Sequence, residues 1–452
     1  MKSLEQLVSD LNSFDPLVRK NALRLLADSR AAAFPVEGVN LNMHFHSFFS
    51  YNAKSYSPSR IVWEAKNVGL FAAGLCDFDV LDGLEEFLDA GRMLELRVAV
   101  ALETRVYLEE YADVEISSPG EPGVTYIMGA GFARELVGGS KQAAGLADYK
   151  IRAGQRNKAL IDRINARLPT IALDYEKDVL PLTPAGGATE RHIVTAYINK
   201  ARTVAKNAEE FISLWSSVLG ENSTNMEKLM ANQPAFEEAV RKKLAKRGGL
   251  GYIQPSIGAF PPAQDFIDWV LSCDAIPMIT WLDGTSDGEK DGCAMLECMR
   301  DKGAAALNII PDRNWNVSDP KEAARKVSLL DDIVTTAESM DLPINIGTEM
   351  NKQGLPFVDS LTCKALQPYR DTFTRGAAVM VGHTVLLRYA DYSYIGRKAK
   401  NDIGRLSDRN KFFETIGRLA PLNESQAKRL EDMGTEKALD WFRNISRREA
   451  KI

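Results

Sequence analysis

The chain has 452 residues, 45% of them hydrophobic and 26% charged, with a net charge of -5. That is ordinary composition for a soluble globular protein, long enough for two or three domains or one barrel with insertions. The acidic balance argues against a general affinity for nucleic acid, and the chain contains no run of about 18 apolar residues that would cross a membrane.

The elements, taken in chain order, fall into four stretches. Residues 1–36 read as helix: Leu4, Leu7, Val8 and Leu11 recur at helical spacing, and Ala22, Leu23, Leu25 and Leu26 follow a break at Asp15-Pro16. From Val39 short apolar runs alternate with amphipathic stretches. The runs 39–45, 70–76, 97–103, 124–128, 275–281, 304–310 and 343–348 read as strands. Helical stretches at 58–67, 83–92, 287–301 and 321–340 follow most of them. This alternation predicts a parallel sheet, and about seven repeats predict closure into an α/β barrel of TIM-like type. Residues 145–250 interrupt the alternation with charge-rich helical pattern and read as a helical insertion. Residues 365–452 are again helical and rich in Arg and Lys. The predicted organisation is thus an N-terminal helical extension over 1–38, a barrel over 39–364 and a C-terminal helical extension over 365–452. The basic run 443–452 fits a solvated helix face better than a nucleic-acid contact.

The five cysteines form no CxxC pair. Together with an N-terminus lacking a signal-peptide pattern, they point to reduced thiols and a cytoplasmic location. No Gly-rich phosphate loop with GKS or GKT and no G-x-S-x-G occurs, which disfavours P-loop nucleotide binding and a serine triad.

Chemistry in a closed parallel barrel gathers where the strand C-termini converge. Two of the four histidines, His44 and His46, stand one residue apart at the first such end. On a strand, positions i and i+2 share a face, so both imidazoles can reach one ion. The bland reading of the pair as structural strand-end residues stands beside this. The second strand ends with Asp77-Phe78-Asp79, the third with Glu103 and Arg105. Strand four carries Tyr126, strand five Trp281 and Asp283, and strand seven Glu349 and Asn351. Glu103 follows an apolar run, and a buried carboxylate without a partner is costly, which favours a metal or arginine beside it.

In this order the segments resemble the PHP (polymerase and histidinol phosphatase) family. The residues that carry the resemblance are His44-Phe45-His46-Ser47 for H-x-H-S, and Cys76-Asp77-Phe78 with Gly83 for T-D-H. Leu102-Glu103 stands for the strand-three glutamate, Tyr126-Ile127-Met128-Gly129 for H-I-L-G, Thr280-Trp281-Leu282 for A-H-P, and Gly347-Thr348-Glu349-Met350-Asn351 for G-S-D-x-H. The resemblance covers about 39–132 and 253–358 and implies a distorted seven-stranded barrel. It also implies a metal site. His44, His46, Glu103 and Glu349 stand where one ion is held. A second ion would need histidines where Tyr126 and Trp281 stand, and a third would need them at Asn52, Phe78 and Asn351. One divalent ion (Zn, Mn or Fe) is therefore expected.

Glu349 reads equally as a solvated loop acid. Phe78 and Trp281 read as filler in vacated metal positions or as the wall of an apolar pocket. The leading expectation is a metal-dependent phosphoesterase for a small-molecule phosphate ester. In it Asp77 or Asp79 orients a histidine or acts on water, Arg105 meets the phosphate, and Tyr126, Trp281 and Lys352 line the substrate. The competing expectation is a catalytically lapsed barrel that binds a small molecule or a protein partner. Nucleic-acid processing ranks last. The segment Thr189-Glu190-Arg191-His192-Ile193 resembles an R-P-H segment that precedes a helix near the substrate in some members of the family, but His192 reads better as a helix N-terminal histidine, and His383 reads as a core histidine. The added helices, especially 365–452, are expected either to build a homo-oligomer interface or to close the barrel mouth.

Overall fold

The computed structural model describes residues 2–30, 34–255 and 258–449. Parts of the expected 1–36 helical region and of the basic 443–452 run lie outside the described residues. Two N-terminal helices, Leu4–Asp10 and Pro16–Arg30, precede the barrel; Ser3 caps the first with a reciprocal capping box.

Seven strands form one sheet in sequential order: β1 (Asn42–Phe45), β2 (Ala72–Phe78), β3 (Arg97–Tyr107), β4 (Val124–Ala130), β5 (Ile276–Trp281), β6 (Ala306–Ile309) and β7 (Ile344–Ile346). The ends nearly meet: Phe45 and Glu349 form an isolated parallel bridge between the β1 edge and the residues after β7. The barrel is therefore almost closed, with helices Pro58–Asn67, Leu84–Met93, Gly292–Asp301 and Pro320–Ser339 around it.

The expected all-parallel sheet needs one correction. β4 runs antiparallel to both β3 and β5. Apolar runs carry no direction, so the sequence could not show the reversal. The reversal also explains why β3 runs on four residues past Glu103: its last residues pair with the first residues of β4, as Arg105 with Tyr126 and Tyr107 with Val124. Glu103 thus lies within the barrel wall, and Tyr126 reaches the same end of the barrel from the start of its strand.

Register decides which side chains face inward, because in-register partners share a face. Phe78 pairs with Glu103, Glu103 with Met128, Met128 with Met278, Thr280 with Asn308 and Asn308 with Asn345. These positions share the face of His44, whose ring touches Asn308. Trp281 lies in register with Ile309, one residue out of phase, and faces the outer layer. It is buried there, beside Gly284 and near Leu329 of helix Pro320–Ser339. The expectation that Trp281 lines the substrate or fills a metal position is corrected accordingly: Thr280 faces the interior instead.

Residues 141–245 form five α-helices between β4 and β5, with a separate apolar cluster that includes Tyr197, Trp215, Phe236 and Val240. Beyond β7, helix Arg370–Ala390 lies across the barrel end opposite His44 and His46. Gly376 abuts the Ile344 carbonyl at the start of β7, and His383 Nε2 meets the Gly131 carbonyl just past β4. Side chains would hold these backbones apart, so the two glycines set how closely helix and sheet approach.

Candidate metal centre

His44 and His46 project from the end of β1 and the residue that follows it, and Glu103 projects from β3; each is at most 1% exposed. Glu103 Oε2 lies 3.5 Å from His44 Nε2 and 3.5 Å from His46 Nε2. All three ligand atoms fall within 4.8 Å of one another. None of the three has a hydrogen-bond partner. Buried polar atoms are almost always satisfied, so three orphans converging on one point require a reason. Donors bound tetrahedrally at about 2.1 Å from a zinc-sized ion stand about 3.4 Å apart. The observed separations fit a divalent cation.

The remaining ring nitrogens are occupied. His46 Nδ1 lies 3.3 Å from Ser50 Oγ, which donates to Asp77 Oδ1 at 2.6 Å. Ser47 donates to the same carboxylate through its backbone N–H at 2.7 Å and its hydroxyl at 2.6 Å. Burial pushes Asp77 up to about 6, against these hydrogen bonds. Asp77 therefore reaches His46 through Ser50 and does not touch the convergent point. Phe78 stacks on His46 with ring centroids 4.6 Å apart and fixes the plane of the imidazole. Burial, then His44 and Arg191, push His46 well below the usual imidazole range. Burial also pulls His44 down, but Glu103 first, with Glu349 and Asn308, together outweigh it and leave His44 raised. Burial raises Glu103.

Glu349 meets β1 through its backbone: its N–H donates to the His44 carbonyl at 2.8 Å, and its carbonyl accepts from the His46 N–H at 2.9 Å. Glu349 and Met350 both adopt left-handed backbone, with φ of 62° and 55°, a sparsely populated region for such residues. The Glu349 carboxylate accepts from Arg313 at 3.3 Å and is not among the three clustered ligand atoms. Burial alone would raise it, but Arg313 and His44 hold it below the usual carboxylate range.

The other expected residues spread over the same end of the barrel. Asp79 accepts from Thr104 Oγ1 at 2.5 Å and lies 3.8 Å from Arg156, so its carboxylate is engaged away from the histidines. Arg105 pairs with Glu121 at 2.7 Å and sits 4.5 Å from the centre of the Phe260 ring. Tyr126 is half-buried, 6.0 Å from Phe78. Lys352 is exposed in the loop after β7. Asn52 is spent on its own loop: it donates to the His46 carbonyl and accepts from the Lys54 and Tyr56 N–H groups.

Sequence reasoning missed four contributors. Arg313 follows β6, and inspecting that strand end as the others were inspected points to it. Arg156 and Arg191 come from the helical insertion and approach Asp79 and Tyr51, respectively. The likeness of Thr189–Ile193 to an R-P-H segment is the sequence signal that the insertion bends over the barrel, and the reading of His192 as an ordinary helix N-terminal residue passed over it. Asn308 lies inside an apolar run and looks like an ordinary strand residue.

No protein-family model matches the chain, and no curated protein matches it. Several solved structures match the chain, among them two described as hydrolases. One is a provisionally assigned metal-dependent phosphoesterase from Bifidobacterium adolescentis, 17% identical, covering 72% of this chain and 91% of its own, with a TM-score of 0.44. The other is an amidohydrolase from Chromobacterium violaceum, 15% identical, covering 74% of this chain and 96% of its own, with a TM-score of 0.47. Likeness at this level assigns neither family nor reaction.

Proposed function

We propose that this barrel is a metal-dependent hydrolase of the PHP type, acting on a small-molecule phosphate ester with one divalent ion held by His44, His46 and Glu103. The observation that carries the reading is the convergence of three buried, unpartnered donor atoms from β1, the residue just past it and β3. A divalent cation supplies Lewis acidity and acidifies water when bound there. The chain's own groups do the rest. Ser50 and Asp77 hold the His46 ring, Phe78 fixes its plane, and Arg313 and Arg105 offer guanidinium groups that match phosphate oxygens. Arg313 is 42% exposed along its side chain and can exchange Glu349 for a substrate anion.

Elemental analysis of protein purified without chelator, followed by assay on phosphomonoesters and phosphodiesters with added Zn²⁺ or Mn²⁺, tests the proposal. The expected result is about one ion per chain and turnover that His46→Ala abolishes. Protein that takes up no cation, and turns nothing over, would overturn it. A second reading, a lapsed barrel that binds a small molecule or a protein partner, is favoured by Phe78, which stacks on His46, and by Tyr126, whose ring lies 6.0 Å from Phe78. It expects no turnover under any metal.

A further inference from the structure

Asn308 faces the barrel interior from β6, fully buried, with its amide 3.2 Å from His44 Nδ1. A neutral imidazole has one donor nitrogen and one acceptor nitrogen, so what the amide presents to Nδ1 decides what Nε2 can do. If the NH₂ faces Nδ1, then Nε2 carries the proton and cannot ligate. If the amide oxygen faces Nδ1, then Nδ1 carries the proton and the Nε2 lone pair is free. A half-turn of the amide exchanges the two states at almost no steric cost.

The surroundings favour the second state. With the NH₂ toward His44, Asn308 Oδ1 has no partner, and neither do Thr280 Oγ1 and Asn345 Oδ1. Thr280 and Asn345 are the in-register neighbours of Asn308 on β5 and β7. The half-turn replaces a stranded acceptor with a donor on the strand between two residues whose own oxygens lack partners. It also gives the His44 Nδ1–H an acceptor.

We propose that Asn308 is the positioning residue that selects the ligating tautomer of His44, its amide oxygen accepting from Nδ1–H so that Nε2 is open toward Glu103. This deepens the reading of His44, His46 and Glu103 as cation ligands, and rests on it. Ser50 performs the matching task for His46, since its hydroxyl hydrogen is committed to Asp77 and its oxygen is left to accept from Nδ1–H. The two imidazoles are thus set by different partners, an amide and a hydroxyl–carboxylate pair.

The test is the affinity of the full chain for Zn²⁺ alone, by competition with a chromophoric chelator, for wild type, Asn308→Leu and Asn308→Asp. Partners of metal-bound histidines change affinity by about 10- to 100-fold when removed. Asn308→Leu, similar in volume but without an acceptor, is expected to lose that much. Asn308→Asp keeps the acceptor and is expected to bind at least as tightly as wild type. A merely structural role predicts loss in both variants. Imidazole ¹⁵N shifts of the Zn²⁺-loaded wild type give a readout independent of any variant: His44 is expected to carry its proton on Nδ1. Equal affinity in Asn308→Leu and wild type, or zinc on Nδ1 of His44, overturns this inference alone. A wild type that binds no zinc overturns it together with the proposed function.

Discussion

Glu103 is a carboxylate, 1% exposed, facing two imidazoles that donate no hydrogen bond to it. Isolated buried charge is costly, so without a cation this site subtracts from stability. A cation that binds only the folded chain restores about 2.7 kcal/mol at a concentration 100 times its Kd. Zn²⁺ or Mn²⁺ is therefore expected to raise the Tm of the wild type in calorimetry and to leave Glu103→Gln unmoved; an equal rise in both would place the ion elsewhere. Arg313 supplies the complementary case. Its guanidinium occupies the Glu349 carboxylate, the one expected ligand outside the cluster. Arg313→Met is expected to lower stability in the metal-free state, because the buried Glu349 carboxylate loses its partner. The same change is expected to tighten cation binding measured by calorimetric titration, because Glu349 is released beside His44. Unchanged affinity would show that Glu349 cannot reach. At this scale the sequence was legible where periodicity is short: His44 and His46 share a face by strand geometry alone. The choice of Glu349 between ion and arginine was illegible, because it depends on Arg313, some 36 positions earlier, and on a left-handed turn that no local pattern announces.

Among the elements, the strands and the helices that follow them were largely readable, and helix Pro58–Asn67 falls on its expected bounds. Strand direction was not readable. β4 is reversed, and Trp281 falls one residue out of phase with the inward-facing row, because apolar residues occupy both faces of a strand buried between core and helices. The seam that closes the barrel was also invisible from sequence, and it depends on one glycine. A Cβ on Gly347 would stand 2.3 Å from His44 Cβ and 2.6 Å from Asn42 Oδ1. Those contacts leave no room for a methyl group, so Gly347→Ala must push β7 and β1 apart. Overpacking of this kind costs about 1–3 kcal/mol. Because the displaced residue is His44, the same variant is expected to lose Zn²⁺ affinity, although position 347 carries no ligand. A Tm drop with full affinity would show that the seam relaxes without moving the imidazole.

For the molecule as a whole, helix Arg370–Ala390 closes the end of the barrel remote from the site, and the helices after it are tied to the sheet through Arg97, which donates to the carbonyls of Gly417, Arg418 and Leu419. His383 lies at the centre of this junction. Its Nε2 donates to the Gly131 carbonyl at 3.1 Å, and its Nδ1 accepts from the Tyr394 N–H at 3.1 Å. The Tyr394 contact requires the neutral ring, because Nδ1 can accept only while it carries no proton. Burial pulls His383 down to about 3, against the pull of the Gly131 carbonyl. Burial likewise pulls His192 down to about 4. In the unfolded chain both take up protons as pH falls through 6.5, while the folded chain refuses them. Their contribution to stability is therefore present above pH 6.5 and is lost on acidification, at up to about 1.4 kcal/mol per pH unit for each. Two buried acids act in the opposite sense. Asp77, raised to about 6, and Asp359, raised to about 7, both chiefly by burial, take up protons in the folded state before the unfolded chain does. Their contributions are greatest at low pH and are lost as pH rises toward those values. Between pH 4.5 and 6 the two pairs largely cancel, so the pH dependence of the wild type alone is uninformative, and the difference against a variant is the useful quantity. His383→Gln retains a donor for Gly131 and an acceptor for Tyr394 and removes the titration. Its stability relative to wild type, from urea unfolding, is expected to improve by about 1.4 kcal/mol for each pH unit between 6 and 4.5. A difference that stays flat across that window would mean that His383 already accepts its proton in the folded protein, and that its Nδ1 does not accept from the Tyr394 N–H as described.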